Sequence, residues 1–262
     1  MIDLHSHILP GIDDGSRSLE MSLQMARMAV DDGITTMACT PHIYPGLYMN
    51  DTAGIMAARD KLQQALDENG IALQLTIGAD VHLVPGLLKG LRDGIVPCLH
   101  HTRYLLLEPA HHVAPPHFQD SVFQLVAAGY VPVITHPERL TWVEDHYPMF
   151  AELVRQGAWM QITAASLTGV FGARAKYWGE RFLGDGLTHI IATDTHSNGR
   201  RSPIMSKARD IAERMLGREE AELLVRGRQE CILRNDLPSA VPPLPEVEQR
   251  HGSWWQRLFR AG

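Results

Sequence analysis

The sequence predicts an α/β fold built from parallel βα units. Short apolar runs typical of buried strands alternate along the chain with amphipathic stretches typical of helices. Seven such strands can be recognised, and each is followed by a helical or irregular segment, which is typical of parallel strands. No linker precedes residue 237, so we expect a single domain over residues 1–237.

The predicted elements follow one another regularly. The first strand covers residues 2–4, and the first helix covers residues 19–32, with Ser18 as its N-cap and Gly33 as its end. The other predicted strands cover residues 34–40, 72–80, 103–108, 130–136, 158–163 and 188–194. The other predicted helices cover residues 52–69, 117–128, 148–156, 173–183, 203–216 and 219–226.

The composition restricts the class of protein and its partners. The 262 residues are 45% hydrophobic and carry a formal net charge of −6, which suits a globular chain with a sizeable core. An acidic balance argues against nucleic acid as a partner, because nucleic acid usually needs a basic patch. Three cysteines are too few for a disulfide framework, and no apolar run approaches the roughly 20 residues of a membrane span. We therefore expect a cytoplasmic protein, without a signal peptide before the first strand.

Histidine or acidic side chains stand at six of the seven predicted strand ends. In a parallel barrel, the carboxyl ends of all strands open on one rim, which carries the active site. We therefore expect a set of nine side chains to converge: His5, His7, Asp14, His42, Asp80, Glu108, His136, Asp194 and His196. His111 and His112 follow on the same rim and could border a substrate, whereas His82 is expected to be an ordinary structural or surface histidine.

This mixture of side chains favours divalent metal ions. Five imidazoles and four carboxylates are too many ligands for one ion and suit two or three. Nitrogen and oxygen ligands without thiolate fit manganese, iron or zinc. Close ions lower the pKa of a shared water and clamp the oxygens of an in-line displacement, so phosphoester hydrolysis is the predicted chemistry. Arginines in the same loops, Arg139 and the pair Arg200 and Arg201, could hold phosphate oxygens.

Two other kinds of phosphate chemistry lack their motifs. A cysteine-dependent phosphatase needs an arginine six positions after its cysteine, and none of the three cysteines is followed by one. The glycine-rich phosphate loop that ends in Lys-Ser or Lys-Thr is also absent.

The motifs together resemble those of the PHP (polymerase and histidinol phosphatase) superfamily. The matching motifs are Asp3-x-His5-x-His7, Asp13-Asp14-Gly15, Thr40-Pro41-His42, Gly78-Ala79-Asp80, Glu108, His136-Pro137-Glu138-Arg139 and Asp194-Thr195-His196. The closest resemblance is to the bacterial manganese-dependent protein-tyrosine phosphatases of capsule and exopolysaccharide loci, and it runs from residue 1 to about 235.

The resemblance implies a distorted seven-stranded (β/α) barrel of the PHP type that holds three Mn²⁺ ions, with iron or zinc as alternatives. It assigns one ion to His5, His7 and Asp194 with help from Asp80, a second to Asp80, Glu108 and His136, and a third to Asp14, His42 and His196. It assigns phosphate binding to Arg139 and to an arginine after the last motif, for which we prefer Arg200 to Arg201. The family usually has Glu where this chain has Asp80, which is one methylene shorter.

The resemblance also implies a substrate. A hydroxide shared by the ions would attack phosphotyrosine on a tyrosine kinase that acts as co-polymerase in polysaccharide assembly. The alternative is a small-molecule phosphoesterase, such as a histidinol-phosphate or nucleotide phosphatase, and a third hypothesis is a non-enzymatic scaffold with a relic site. A small polar substrate needs an enclosed charged pocket, whereas phosphotyrosine needs an open one.

Residues 238–262 differ in composition from the rest of the chain. Four prolines between residues 238 and 245 predict an extended spacer. An apolar stripe flanked by arginines follows on a predicted short helix: Trp254, Trp255, Leu258 and Phe259, with Arg257 and Arg260. We expect weak contact with the inner face of the membrane or with the kinase; the alternative is that the tail folds back or is disordered.

Overall fold

The computed structural model describes residues 1–246, and it shows a mixed α/β fold with parallel strands, as predicted. The strands are β1 Ile2–Ser6, β2 Thr36–Cys39, β3 His42–Tyr44, β4 Tyr48–Met49, β5 Gln74–Ile77, β6 Asp80–His82, β7 Tyr104–Glu108, β8 Val131–Thr135, β9 Trp159–Thr163 and β10 Ile190–Ala192. The helices are α1 Leu19–Asp31, α2 Thr52–Glu68, α3 Leu87–Arg92, α4 Phe118–Ala127, α5 Val143–Arg155, α6 Ala164–Leu167, α7 Ala173–Gly184, α8 Ser206–Leu216, α9 Arg218–Glu222 and α10 Arg228–Leu233.

The strands form two ladders. One has three strands in the order β1-β2-β5, and the other has seven in the order β10-β9-β8-β7-β6-β3-β4. Strand pairs are parallel throughout the described chain except β3 and β4, which form an antiparallel hairpin that the sequence analysis did not predict. The ladders therefore do not confirm one barrel made of seven continuous strands.

Two of the predicted strands end early and are each followed by a second short strand, and each interruption has a local cause. The strand predicted over residues 34–40 ends at Cys39, because Pro41 has no N–H to continue a ladder. The strand predicted over residues 72–80 ends at Ile77 and is followed by Gly78. A Cβ atom at Gly78 would lie 2.7 Å from Leu99 Cδ2, so this close approach requires glycine or a shift of Leu99.

Backbone hydrogen bonds keep the split strands aligned. The N–H of Gly78 donates to the Cys39 carbonyl at 3.0 Å, and the N–H of Asp80 donates to the Pro41 carbonyl at 3.2 Å. Strand β2 is thus followed by β3, and β5 by β6, and the second pair of strands stays aligned like the first. His42 in β3 is the register partner of Asp80 in β6. The split brings these two polar residues side by side at the end of the strands.

The first strand also meets the end of β10. The N–H of Asp194 donates to the His5 carbonyl, and the N–H of His7 donates to the Thr195 carbonyl, both at 2.9 Å. Ser6 and Thr195 form an isolated parallel bridge. The first and last polar motifs of the chain are therefore neighbours, although nearly the whole domain separates them in sequence.

Most predicted helices are present, with some differences in their limits. The Ser18 hydroxyl accepts the N–H of Met21 and caps α1, as predicted. Helix α5 begins at Val143 rather than at Pro148, because Val143 and Tyr147 are buried and packing extends the helix past its proline. The helix predicted over residues 219–226 is replaced by α9, a π-helical turn over Leu223–Gly227, and α10. Helices α3 and α6 were not predicted.

The residues of β7 show how the core positions the polar rim. Leu105 and Leu107 belong to the main core cluster, which also contains residues of α4. Tyr104 and Leu106 face the other way, into a second cluster with residues of β1 and β8. Alternation then puts Glu108 on the same face as Leu106, at the carboxyl end of the strand.

The end of the described chain is packed against the domain. The side chain of Val241 is buried, and fully buried Arg228 donates to the carbonyls of Pro242 at 3.1 Å and Pro243 at 2.7 Å. The predicted aromatic tail lies outside the described residues, so its role stays a prediction. Within residues 1–246, every helix is too short or too polar to span a bilayer.

Candidate metal centre

The nine side chains expected to converge do lie together at the carboxyl ends of the strands. Each histidine of the set has a ring nitrogen within 3.9 Å of a carboxylate oxygen of the set, and each carboxylate lies equally close to a histidine. The set consists of His5, His7, Asp14, His42, Asp80, Glu108, His136, Asp194 and His196. All except Asp14 and His42 are buried.

His5 and His7 point the same ring atom at each other. Their Nδ1 atoms each lie 2.8 Å from an acceptor, Gln161 Oε1 for His5 and Asp13 Oδ2 for His7. These acceptors can take the Nδ1 protons, so each ring, when it is neutral, has a lone pair on Nε2. The two Nε2 atoms are 3.2 Å apart, and each lies 3.4 Å from Asp194 Oδ1. Three donor atoms that converge in this way favour a cation between them.

The spacing of the donor atoms fits shared metal ions. Two ligands at about 2.1 Å from one ion lie about 3.4 Å apart at a tetrahedral angle. Asp14 Oδ1 lies 3.3 Å from His196 Nε2 and 3.5 Å from His42 Nε2, and His136 Nε2 lies 3.8 Å from Glu108 Oε1. Within the described residues, four groups have all their donor atoms within 4.8 Å: His7–Asp14–His42–His196, His5–His7–Asp80, Glu108–His111–His136 and His42–Asp80–Glu108.

Several buried atoms of this cluster have no hydrogen-bond partner among the described residues. They are both carboxylate oxygens of Asp80, Nδ1 of His136 and Nδ1 of His82. A buried polar atom without a partner is costly, and native proteins rarely leave one unexplained. Bound ions would satisfy the Asp80 oxygens, so the fit of the residues to a metal centre rests on their chemistry as well as their spacing.

The backbone at two strand ends is shaped for this arrangement. His136 follows β8 with a φ of 37°, and Asp194 follows β10 with a φ of 51°. Residues other than glycine adopt such left-handed conformations uncommonly, and these conformations concentrate at functional sites. The sharp change of direction after each strand turns both side chains into the cluster.

Burial and neighbouring charges shift the pKa values of several histidines in the cluster. Burial alone would lower the pKa of His5, but Asp80 and Asp194 raise it to about 9. Burial lowers the pKa of His196 to about 4 and that of His111 to about 3, with neighbouring histidines adding to the effect. The carboxylates thus favour positive charge beside His5, while His111 and His196 are neutral rings that can act as ligands at neutral pH.

Two arginines lie on one side of Asp194. Arg139 and Arg201 both form ion pairs with Oδ2 of Asp194, the latter at 2.8 Å. The Phe171 ring lies under both guanidinium groups, with its centroid 4.5 Å from Cζ of Arg139 and 5.8 Å from Cζ of Arg201. The two planar forks are thus fixed side by side at the edge of the cluster.

Arg200 lies away from this pair. Its side chain is exposed and donates to the Val170 carbonyl at 2.7 Å. The loop after β10 closes when the N–H groups of His196 and Ser197 donate to the Arg201 carbonyl at 3.0 and 3.1 Å. This closure brings Arg201 back towards the cluster, so the geometry favours Arg201 over our sequence-based preference, Arg200.

Two buried carboxylates that were not predicted as site residues support the cluster. Asp3 accepts the N–H of His5 at 3.2 Å and the N–H of Thr193 at 3.0 Å, so it joins β1 to the end of β10. Glu138 accepts the N–H of Thr163 at 3.0 Å and the Ser166 hydroxyl at 2.7 Å, which fixes the turn that carries Arg139. Asp3 and Glu138 stand inside the Asp-x-His and His-Pro-Glu-Arg motifs, and this position could have identified them as supporting residues.

His82 was expected to be ordinary, and the structure places it beside the cluster. Its Nδ1 lies 3.6 Å from Glu108 Oε2, because the two residues are register partners across β6 and β7. Its ring stacks on Tyr44 at a centroid distance of 4.0 Å. Its position two residues after Asp80, on the same face of the strand, could have indicated this.

An open cleft leads from solvent to the cluster. It has a volume of about 400 Å³ and is lined by Asp14, His42, Tyr44, Leu47, Tyr48, His82, Glu108, Ala110, His111, His112 and Val113. The β3–β4 hairpin forms one wall, and the loop after β7 forms the other. Leu47 and Val113 at the mouth are 62% and 69% exposed, so the entrance is wide and partly apolar.

Comparison with known proteins shows similarity over nearly the whole chain. A family model described as capsular polysaccharide synthesis, CpsB/CapC, matches residues 1–234. The tyrosine-protein phosphatase YwqE of Bacillus subtilis (strain 168) is 35% identical over 246 residues, which cover 94% of this chain and 96% of that protein. The tyrosine-protein phosphatase CpsB of Streptococcus pneumoniae is 29% identical over 239 residues, covering 89% and 98%.

Solved structures give the same picture. A chain from the crystal structures of YwqE and CpsB, described as unique metal-dependent tyrosine phosphatases, matches with a TM-score of 0.88 at 33% identity, covering 95% of this chain and all of that one (100%). The phosphotriesterase homology protein of Escherichia coli, solved with phosphate in its active site, matches with a TM-score of 0.58 at 7% identity. The second match shows a shared fold alone.

Proposed function

This chain belongs to the CpsB/CapC family of capsular polysaccharide synthesis proteins, and we propose that it is a metal-dependent protein-tyrosine phosphatase. The observation that carries the proposal is the set of lone-pair donors on His5, His7 and Asp194, which converge beside two arginines. This combination of cation site and paired guanidinium groups suits a phosphate ester. The tyrosine phosphatase YwqE, at 35% identity, supports the assignment of the ester to tyrosine.

We propose that the cluster holds three Mn²⁺ ions, with iron or zinc as alternatives. The ligand sets are His5, His7 and Asp194 with Asp80; Asp80, Glu108 and His136; and Asp14, His42 and His196. When bound, such ions supply a nucleophile from a shared water at neutral pH and offset charge on the phosphoryl group. Asp80 lies 3.4 Å from His5 and 3.9 Å from His136, which supports a position between two of the ions.

The protein's own residues would orient the phosphoryl group. Arg139 and Arg201 would each donate two N–H groups to its oxygens, as planar guanidinium forks do with phosphate. Their shared contact with Asp194 and their packing on Phe171 hold both forks in place before substrate arrives. The phenolate of tyrosine has a pKa near 10, so it can leave with little help from a general acid.

The open cleft supports phosphotyrosine in a polypeptide over a small phosphometabolite. Tyr44, Tyr48 and Val113 can pack against an aromatic ring whose phosphate reaches the cluster. The exposed Leu47 and Val113 leave room at the mouth for a continuing peptide. A histidinol-phosphate or nucleotide phosphatase, which is the alternative, would need polar groups enclosing the rest of its substrate.

The proposed substrate is the tyrosine-phosphorylated kinase of polysaccharide assembly, on which the enzyme would act in the cytoplasm. The association of the family with capsular polysaccharide synthesis supports this partner. We further propose that the two ladders make up one distorted barrel of the PHP type, which the bridge between Ser6 and Thr195 would close. Recruitment to the inner face of the membrane would depend on the tail.

Turnover of the Mn²⁺-loaded protein on three kinds of substrate tests the proposal. We expect kcat/KM for a phosphotyrosine peptide to exceed that for the matching phosphoserine peptide by at least about a hundredfold, because the open cleft accommodates an aromatic ring. Histidinol phosphate and a nucleoside monophosphate should be poorer substrates still. A higher kcat/KM on either of these metabolites would favour the small-molecule phosphoesterase instead.

A further inference from the structure

We propose that His111 is an additional metal ligand, which completes a site with Glu108 and His136. This inference rests on the metal centre of the proposed function, and it adds a residue that the nine-ligand set does not contain. His111 lies in the loop after β7, three positions beyond Glu108.

The donor atoms of the three side chains have the spacing of ligands that share an ion. Nε2 of His111 lies 3.6 Å from Glu108 Oε1, and Nε2 of His136 lies 3.8 Å from the same oxygen. All three donor atoms lie within 4.8 Å of one another. Ligands at about 2.1 Å from one ion are separated by about 3.4 Å at a tetrahedral angle, so a small contraction on binding suffices.

The loop that carries His111 is fixed by hydrogen bonds. The His111 carbonyl accepts the N–H of Thr141 at 3.0 Å and the hydroxyl of the same threonine at 3.1 Å. The preceding carbonyl, of Ala110, accepts the indole N–H of buried Trp142 at 2.9 Å. The imidazole ring of His111 also lies against that of His136, with centroids 4.9 Å apart. A ligand held in this way loses little conformational freedom when it binds an ion.

The orientation of Glu108 leaves one oxygen for this site. Oε2 faces His42 at 3.4 Å and His82 at 3.6 Å, whereas Oε1 faces His111 and His136. The Tyr44 ring stacked on His82 holds that imidazole in position. Glu108 therefore presents Oε1 to an ion between His111 and His136.

The position of Asp80 explains why a further ligand is useful here. Its Oδ2 lies 3.4 Å from His5 and 3.5 Å from His42, but 3.9 Å from His136. The short aspartate side chain is thus closer to the other histidines than to His136. An ion beside His136 would receive less from Asp80, and the imidazole of His111 would supply a further protein ligand.

The test compares His111→Gly with His112→Gly, a matched control. His112 is the adjacent residue, is exposed, and has its ring centroid 6.2 Å from that of His111. Mn²⁺ binding is measured by calorimetry and by metal analysis after dialysis, and the Co²⁺-substituted proteins are compared by visible absorption. We expect His111→Gly to bind one of its Mn²⁺ ions at least about tenfold more weakly than the wild type does, and its Co²⁺ spectrum to change. His112→Gly should match the wild type in both measurements.

Free imidazole separates the loss of a ligand from damage to the fold. His111 is 28% exposed, so imidazole can enter the space that glycine leaves, and it should restore both Mn²⁺ affinity and the Co²⁺ spectrum. Unchanged affinity in His111→Gly, or a loss that imidazole does not restore, would overturn the proposal for His111. If the wild-type protein itself binds no divalent ion, the whole proposed metal centre fails, which is a distinguishable result.

Discussion

Asp194 is the residue that links the two parts of the site. Its Oδ1 faces the paired Nε2 atoms of His5 and His7, while its Oδ2 accepts from Arg139 and Arg201. Although burial would raise the pKa of Asp194, Arg201 and then His5 hold it well below its usual range. The carboxylate therefore stays charged and, in the proposed site, would set the distance between the ions and the two guanidinium groups.

At the scale of a residue, the arginine pair gives a clear prediction. Arg139→Lys keeps the charge but loses the planar fork, so kcat/KM on a phosphotyrosine peptide should fall by roughly ten- to a hundredfold. The metal content should stay the same. Arg201→Lys should behave alike, whereas Arg200→Lys should match the wild type because the exposed Arg200 side chain donates to the Val170 carbonyl and not to Asp194. A kinetically silent Arg139→Lys would reduce that arginine to a surface residue.

The sequence predicted site residues best where they directly follow strands. His136 and Asp194 could be found because each ends an apolar run that has few other interpretations. Arg201 could not be distinguished from Arg200, because their difference arises from the closure of one loop onto the Arg201 carbonyl. His82 was missed because its strand was expected to end at Asp80, whereas β6 continues through it.

At the scale of elements, β9 and β10 are joined by a buried neutral histidine. His189 lies just before β10, and its ring stacks on Trp159 of β9 with centroids 4.7 Å apart. Its Nδ1 accepts the N–H of Met160 at 3.1 Å, which requires that nitrogen to be unprotonated. Burial, and then the charge of Arg228, lowers the pKa of His189 to about 3.

This histidine should make stability depend on pH. Its pKa is about 6.5 in the unfolded chain and about 3 in the folded protein, so the unfolded state binds the proton more readily in that range. The contribution of His189 is fully present above the unfolded value and is lost as the pH falls towards 3. Between pH 7 and 5, wild-type protein should lose about 2 kcal/mol more unfolding free energy than His189→Asn.

Urea unfolding of both proteins at several pH values measures this difference. The residual stability of His189→Asn need not equal that of the wild type, because only the change with pH is compared. Parallel pH dependences for the two proteins would show that His189 is not held neutral between the strands.

The elements themselves could be predicted mostly from hydrophobic pattern, and the exceptions have local causes. The strand interruptions at Pro41 and Gly78 could have been predicted from the sequence. Proline has no backbone N–H to donate to a strand ladder, and glycine within a strand often marks a close approach of other atoms to the backbone. The β3–β4 hairpin turns at Pro45-Gly46, where the N–H of Leu47 donates to the Tyr44 carbonyl at 2.9 Å. Strands of two or three residues are too short to show a period, so pattern alone could not indicate them.

At the scale of the whole molecule, Arg228 holds the last part of the described chain against the domain. Its guanidinium group pairs with Glu220 at 2.7 Å and donates to the carbonyls of Pro242 and Pro243. A tether formed by the later residues would therefore begin after Pro243. Deleting residues 246–262 should remove the tether and leave the packing of the domain intact.

The truncated protein should keep full turnover of a small phosphotyrosine peptide. It should also sediment less with anionic vesicles than the full chain, because the deleted segment supplies the aromatic and basic side chains that suit a lipid interface. A protein with Trp254 and Trp255 both replaced by Ser is a control that keeps the length of the chain. Loss of the fold or of peptide turnover on truncation would make the segment part of the domain.

The central claim is that the converging histidines and carboxylates act by holding divalent ions. The most direct measurement is turnover of a phosphotyrosine peptide by the protein as purified, after removal of metal with a chelator, and after addition of Mn²⁺. We predict that chelation abolishes turnover and that Mn²⁺ restores it, because bound ions would supply the nucleophile. Full turnover by protein shown to be free of metal would contradict the account.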